Sequence, residues 1–279
     1  MKKTILFLIA ISAIALSLSS CEQNVDAELP YKEQLVIRAV LEADVLTKDI
    51  TITRTLPPLV DYTYDAALVI NADAYIIGPG EKKYKLIYNP SSQKYKVDSL
   101  IPKAGETYRF EASANGKYAY AQTIIPEKVT IENFALSFEK VESWRYESWL
   151  VVISAYFKPI NDYVYIAGVR RLSQGRDYLY DYVYDEIKQP SDILSDGRLK
   201  IHVVEHYTSD TSSFNLNAFK GQESFIESYD NQFYSYYNSR NDGSSNSDIF
   251  GTSGSNIRWN IKGDGIGLFI GLNRAAKVI

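Results

Sequence analysis

Between residues 35 and 125 the chain passes through seven short stretches rich in β-branched and aromatic residues: 35–41, 50–55, 67–77, 84–88, 95–97, 107–112 and 117–125. Such side chains pack well on a pleated surface, and the Gly, Pro and Asn residues between the stretches supply turn dihedrals, so the pattern predicts strands rather than helices. Pro57-Pro58, Gly78-Pro79-Gly80, Asn89-Pro90 and Asn115-Gly116 punctuate it. Asn115-Gly116 is the most specific of these signals. Both central residues of the matching two-residue turn need positive φ, so 107–112 and 117–125 should form a hairpin, with Tyr108-Arg109-Phe110 facing Tyr118-Ala119-Tyr120. Pro126 ends the last stretch and sets an expected boundary near residue 127. This rhythm of strands predicts an immunoglobulin-like β-sandwich over residues 34–127.

The second half continues in the same manner at 129–138, 149–157, 163–170, 178–184 and 199–207, and closes on a Gly-rich strand or hairpin at 257–270. One segment reads differently. Phe225, Ile226, Tyr229, Phe233, Tyr236 and Tyr237 recur at spacings of three and four, which predicts one amphipathic helix over 222–239. The polar Gly/Ser/Asn/Asp stretch at 241–255 reads as a loop. The fold expected is all-β: the sandwich, then a second β-sandwich or partial barrel over 128–279 carrying that helix. A chain of 279 residues is long enough for two cores, and 46% hydrophobic with 23% charged residues is the composition of a packed protein.

The N-terminus predicts where the protein resides. Lys2 and Lys3 precede an apolar stretch at 5–18, followed by Leu18-Ser19-Ser20-Cys21 with the only Cys of the chain. This is the pattern of a lipoprotein signal peptide over 1–20, with Cys21 lipidated and 21–33 forming a polar tether. Removing Lys2 and Lys3 with the signal takes the formal charge from -4 to -6. A mildly acidic chain has no cationic excess with which to neutralise phosphates, which argues against nucleic acid as a partner. A single Cys excludes an intramolecular disulfide and a thiolate metal cluster. Glu22-Gln23-Asn24 lacks the acidic run of a strong surface-export signal, leaving both the periplasmic and the cell-surface face open.

The lipidated tether, TITRTLPPL at 51–59, GETYRFEASANGKYAYAQTIIP at 105–126, SDILSDG at 191–197 and NIKGDGIGLFIG at 260–271 together resemble the lipoproteins grouped as domain of unknown function 4249. The resemblance spans nearly the whole mature chain and is weakest across 135–190 and 208–225. Members of that family occur in Bacteroidota, often encoded beside TonB-dependent outer-membrane transporters. The resemblance therefore implies an accessory role in outer-membrane uptake and supplies no catalytic residue.

Four local patterns bear on chemistry. His202-Val203-Val204-Glu205-His206 matches the H-x-x-E-H string of inverted zinc proteases, where a helix brings both imidazoles to one metal. Here the flanking residues favour a strand, which would hold the two His roughly 13 Å apart at about 3.3 Å per residue, too far to share a zinc. Gly263-Asp264-Gly265-Ile266-Gly267 imitates a phosphate-binding loop but lacks a following helix, so a close-packed strand is expected. Asp242, Asn246 and Asp248 lack the spacing and closing Glu of a calcium loop. The chain holds 23 Tyr, and in a strand over 177–185 Tyr178, Tyr180, Tyr182 and Tyr184 fall on one face. That ladder is the candidate binding face, for a sugar ring or a protein partner.

The sequence thus predicts no catalytic residue, no metal and no cofactor. The leading expectation is an outer-membrane lipoprotein, a non-enzymatic accessory subunit that helps a TonB-dependent transporter capture a glycan or peptide. The alternatives are a surface adhesin or fimbrial-type structural lipoprotein and, third, a hydrolase acting on glycan or peptide.

Overall fold

Asn115 and Gly116 adopt φ of 50° and 72°, the left-handed values their turn demands, and the strands on either side run back along each other as a hairpin. This computed structural model describes residues 31–142, 147–160, 162–171, 193–207, 222–241 and 257–278. All elements below belong to one compact unit, Glu33–Leu56 with Val60–Ile279. The hairpin pairs β7 (Thr107–Ala114) with β8 (Lys117–Ile124), the other N-terminal strands being β1 (Leu35–Glu42), β2 (Thr51–Arg54), β3 (Asp73–Ile77), β4 (Lys83–Lys85), β5 (Ile87–Asn89) and β6 (Lys94–Lys96). The turn sets the register, Ala114 opposite Lys117, so Phe110 lies opposite Ala121 and Tyr120 opposite Glu111. The two aromatic triplets expected to face each other are therefore displaced along the hairpin. Of the expected strand at 67–77 only 73–77 forms β3; ahead of it lies a single-turn helix, α1 (Tyr64–Ala67), capped by the Thr63 hydroxyl on the Ala66 N–H.

The C-terminal strands are β9 (Ile131–Glu142), β10 (Glu147–Phe157), β11 (Val164–Arg171), β12 (Leu199–Tyr207), β13 (Gln222–Tyr229), β14 (Lys262–Gly263) and β15 (Gly265–Val278). One five-stranded sheet has the order β11-β13-β15-β1-β2 and a second β14-β8-β7-β3-β4, accompanied by a β12-β10-β9 sheet and the β5-β6 ribbon. The molecule is mostly strand and its sheets do not close into a barrel, as expected of an all-β sandwich. Segments from both sides of residue 127 share the first sheet, because β15 lies parallel to β1 with Leu35 opposite Gly265 and Glu42 opposite Leu272.

The helix expected at 222–239 is a correction. Residues 222–229 are strand β13, hydrogen-bonded to β11 on one side and β15 on the other, and only α2 (Gln232–Asn241) is helical. Strands on both sides offer the backbone of 222–229 hydrogen-bond partners, and that outweighs a helical spacing of six aromatic and aliphatic residues.

The core lies between the two five-stranded sheets. Leu35, Ile37, Leu41, Ile52 and Phe269 from one meet Ala74, Ile76, Phe110, Ala112, Ala119 and Ala121 from the other. Phe110 and Phe269 join the layers with ring centroids 5.6 Å apart. The layers approach so closely at β8 that a Cβ on Gly265 would stand 2.7 Å from that of Ala119, and one on Gly271 would overlap the Ile124 carbonyl oxygen. Only small residues fit there, so the bulk of β8 is turned outward: Ala119 and Ala121 are buried while Tyr118 and Tyr120 are each 44% exposed. Farther along the first sheet, Arg274 pairs with Glu227 and Glu42. Burial works against its charge, but the two carboxylates outweigh that penalty and raise its pKa.

Candidate functional site

The outer face of β8 carries Tyr118, Tyr120 and Gln122, because alternate residues of a strand point to opposite sides. The register places Glu111 and Lys262 on either flank of Tyr120 and Arg109 beside Gln122. Arg109 makes a bidentate pair with Glu81. Those hydrogen bonds raise the arginine pKa and hold the Glu81 carboxyl below its ordinary range. Lys262 has no such partner among the described residues.

Beside this face the edge of β8 is closed by side chains instead of by a full strand. Asp264 donates its N–H to the Tyr118 carbonyl at 2.7 Å and accepts the Tyr118 N–H with its carboxylate at 3.4 Å. Gln232 Nε2 donates to the Gln122 carbonyl at 2.9 Å, and the Ile124 N–H donates to Asp230 Oδ2 at 3.0 Å. Asp230 is only 5% exposed, and donors saturate it: the Thr123 hydroxyl at 2.7 Å, Gln232 Nε2 at 3.1 Å on the same oxygen, and the Gln232 N–H at 3.1 Å on Oδ1. The last bond, with its Asx geometry, places a carboxylate at the start of α2, where unpaired N–H groups favour negative charge. Thr123 in turn accepts the Gly271 N–H at 2.7 Å. Asn260, buried nearby, copies a strand partner by bonding both the N–H and the carbonyl of Phe269 at 2.9 and 2.7 Å.

These groups enclose a cleft of ≈ 520 Å³ bordered by Arg109, Tyr120, Gln122, Asp230, Gln232 and Lys262 among others. Its floor is internally satisfied. Its rim presents the Tyr120 ring and hydroxyl, the Gln122 carboxamide and the Lys262 ammonium, none of which has a hydrogen-bond partner among the described residues. The arrangement is suited to reversible recognition of a polar ligand.

Of the sequence-nominated residues, Cys21, the ladder Tyr178, Tyr180, Tyr182 and Tyr184, and the loop residues Asp242, Asn246 and Asp248 lie outside the described residues. His202 and His206 lie on β12 opposite Ser154 and Leu150, in the extended backbone expected of them and not on the helix their string would need to share a zinc. The 263–267 stretch runs straight into β15 without a following helix, again as expected. No group of three or more His, Cys, Asp or Glu among the described residues could hold a metal ion. No helix among them is long and apolar enough to cross a membrane. The cleft itself was not read from the sequence. Its one local trace is the alternation Tyr118-Ala119-Tyr120-Ala121, large outside and small inside.

No curated protein matches the chain. A family model described as Domain of unknown function (DUF4249) matches residues 22–277, a span that takes in both five-stranded sheets and the cleft between β8, α2 and β14. The chain belongs to the DUF4249 family.

Proposed function

We propose that this protein is a lipid-anchored outer-membrane protein that binds rather than converts its ligand, as an accessory subunit of a TonB-dependent uptake system. The observation that carries the binding part is the cleft along β8, whose buried polar groups are all engaged with one another while its rim offers an aromatic ring, an amide and an ammonium to a ligand. The signal pattern ending at Cys21 supports the anchor. The family resemblance supports the association with a transporter.

The test is purification of the intact lipoprotein from its native outer membrane in mild detergent, with identification of the proteins that accompany it. Stoichiometric recovery of a large β-barrel transporter is the expected result. Recovery of the lipoprotein alone, or polymerised with itself, would sink the accessory role.

A further inference from the structure

The rim of the β8 cleft specifies a class of ligand. A peptide strand would seek main-chain partners, but the edge groups of β8 at Tyr118, Gln122 and Ile124 are already bonded to Asp264, Gln232 and Asp230. An anionic ligand would seek unbalanced positive charge. Arg109 is neutralised by Glu81, and the lining holds one further cation, Lys262, and one carboxylate, Asp230, so its formal charges cancel. A purely apolar ligand would leave the Gln122 amide and the Lys262 ammonium desolvated without partners.

What these groups do match is a pyranose. Its C–H face is apolar and flat enough to lie on an aromatic ring, and its hydroxyls, each donor and acceptor, suit an amide and an ammonium at the ring's edge. The volume of ≈ 520 Å³ falls within the roughly 300–1,000 Å³ of small-ligand sites. Tyr118 stacks against Tyr120, ring centroids 5.7 Å apart with 25° between the planes, which steadies the Tyr120 ring and leaves its other face for a sugar.

We propose that the β8 cleft is a subsite for a neutral sugar residue of a glycan, with Tyr120 stacking on the sugar ring and Gln122 and Lys262 bonding its hydroxyls. This assignment rests on the binding role proposed above and names the ligand class for it.

The full-length lipoprotein in detergent is run by native electrophoresis through gels containing soluble starch, galactomannan or arabinoxylan, with polygalacturonate as the anionic probe. Retardation by at least one neutral polysaccharide is expected, and Tyr120→Ala should weaken it about tenfold or more, as loss of a central aromatic anchor does. Tyr120→Phe, which keeps the ring, should retain most of it, and Lys262→Met should weaken it several-fold. Because these side chains are exposed, the melting temperatures should stay within a few degrees of the parent's, and that is measured on the same samples. No retardation in any neutral gel, retardation by polygalacturonate alone, or retardation indifferent to Tyr120→Ala overturns the proposal. A co-purifying barrel without sugar retardation removes only this assignment. Tyr120-dependent retardation without a barrel leaves it standing and removes the transporter association.

Discussion

Asp230 accepts the Thr123 hydroxyl at 2.7 Å across 107 residues of chain, and the same carboxylate oxygen takes the N–H of Ile124. One buried carboxylate thus joins the end of β8, the start of α2 and, through Thr123, the backbone of β15 at Gly271. It locks the wall of the cleft to the sheet behind it.

Replacing Asp230 with Ala strands the Ile124 N–H and leaves the buried Thr123 hydroxyl only a long contact of 3.5 Å to the Ile124 carbonyl. The expected cost is about 3 kcal/mol, since each orphaned buried donor costs roughly 1–3 kcal/mol. Urea denaturation of the full chain measures it. Adding Thr123→Val should cost less than the sum of the two single changes, because the second removes a donor that the first has already stranded. A loss below about 1 kcal/mol for Asp230→Ala would show that the junction contributes little.

Two glycines separate close approach from backbone conformation. At Gly271 a Cβ would overlap the Ile124 carbonyl oxygen, whereas at Gly116 nothing lies within 4 Å but φ is +72°. Gly271→Ala should cost about 3 kcal/mol or more, because a strand must shift in a packed interior. Gly116→Ala should cost about 1 kcal/mol, the penalty of a left-handed alanine. Equal losses in parallel denaturation curves would contradict the tight apposition of β8 and β15.

Alkaline unfolding should draw on buried tyrosines whose pKa burial raises, Tyr95, Tyr108, Tyr165 and, most strongly, Tyr229, of which Tyr108 and Tyr165 can be followed directly. Burial, with hydrogen bonding to Glu106, pushes Tyr108 from 10.0 up to about 12. Burial likewise pushes Tyr165, whose hydroxyl is bonded to both the N–H and the carbonyl of Ile160, up to about 12. Unfolded tyrosine ionises near pH 10, so the folded state holds protons there that the unfolded state releases. Stability should therefore be insensitive to these groups below pH 10 and fall between about pH 10 and 12. Tyr108→Phe and Tyr165→Phe should each flatten that decline, followed by phenolate absorbance and denaturation at a series of pH values. A decline unchanged in both variants would assign alkaline unfolding to other groups.

On the proposed anchoring, Cys21→Ser should move the protein from the membrane pellet to the soluble fraction, because a mature chain of charge -6 has no electrostatic attraction to anionic lipid. Fractionation followed by immunoblotting reads the outcome. A variant that still sediments with membranes, after a carbonate wash, would overturn the lipoprotein reading.

What the sequence determined by itself is what adjacent residues decide among themselves. Asn115-Gly116 imposes the hairpin and its register, since φ is a property of those two residues. The runs at 35–41 and 199–207 are strands, since branched and aromatic side chains in short stretches fit a pleat. Tertiary structure decided the rest. Residues 222–229 satisfy a helical spacing as readily as a strand, and only the flanking β11 and β15 settle the matter by offering backbone partners. The parallel pairing of Leu35 with Gly265 joins the two ends of the globule and has no local signal. The same pairing brings Gly265 against Ala119, leaving no room for a ring on the inner face of β8 and sending Tyr118 and Tyr120 outward to border the cleft. Arg109 comes with the hairpin itself, but Gln232 and Lys262 arrive from α2 and β14, more than a hundred positions from their neighbours on β8, a relationship that side-chain spacing along a single chain does not encode.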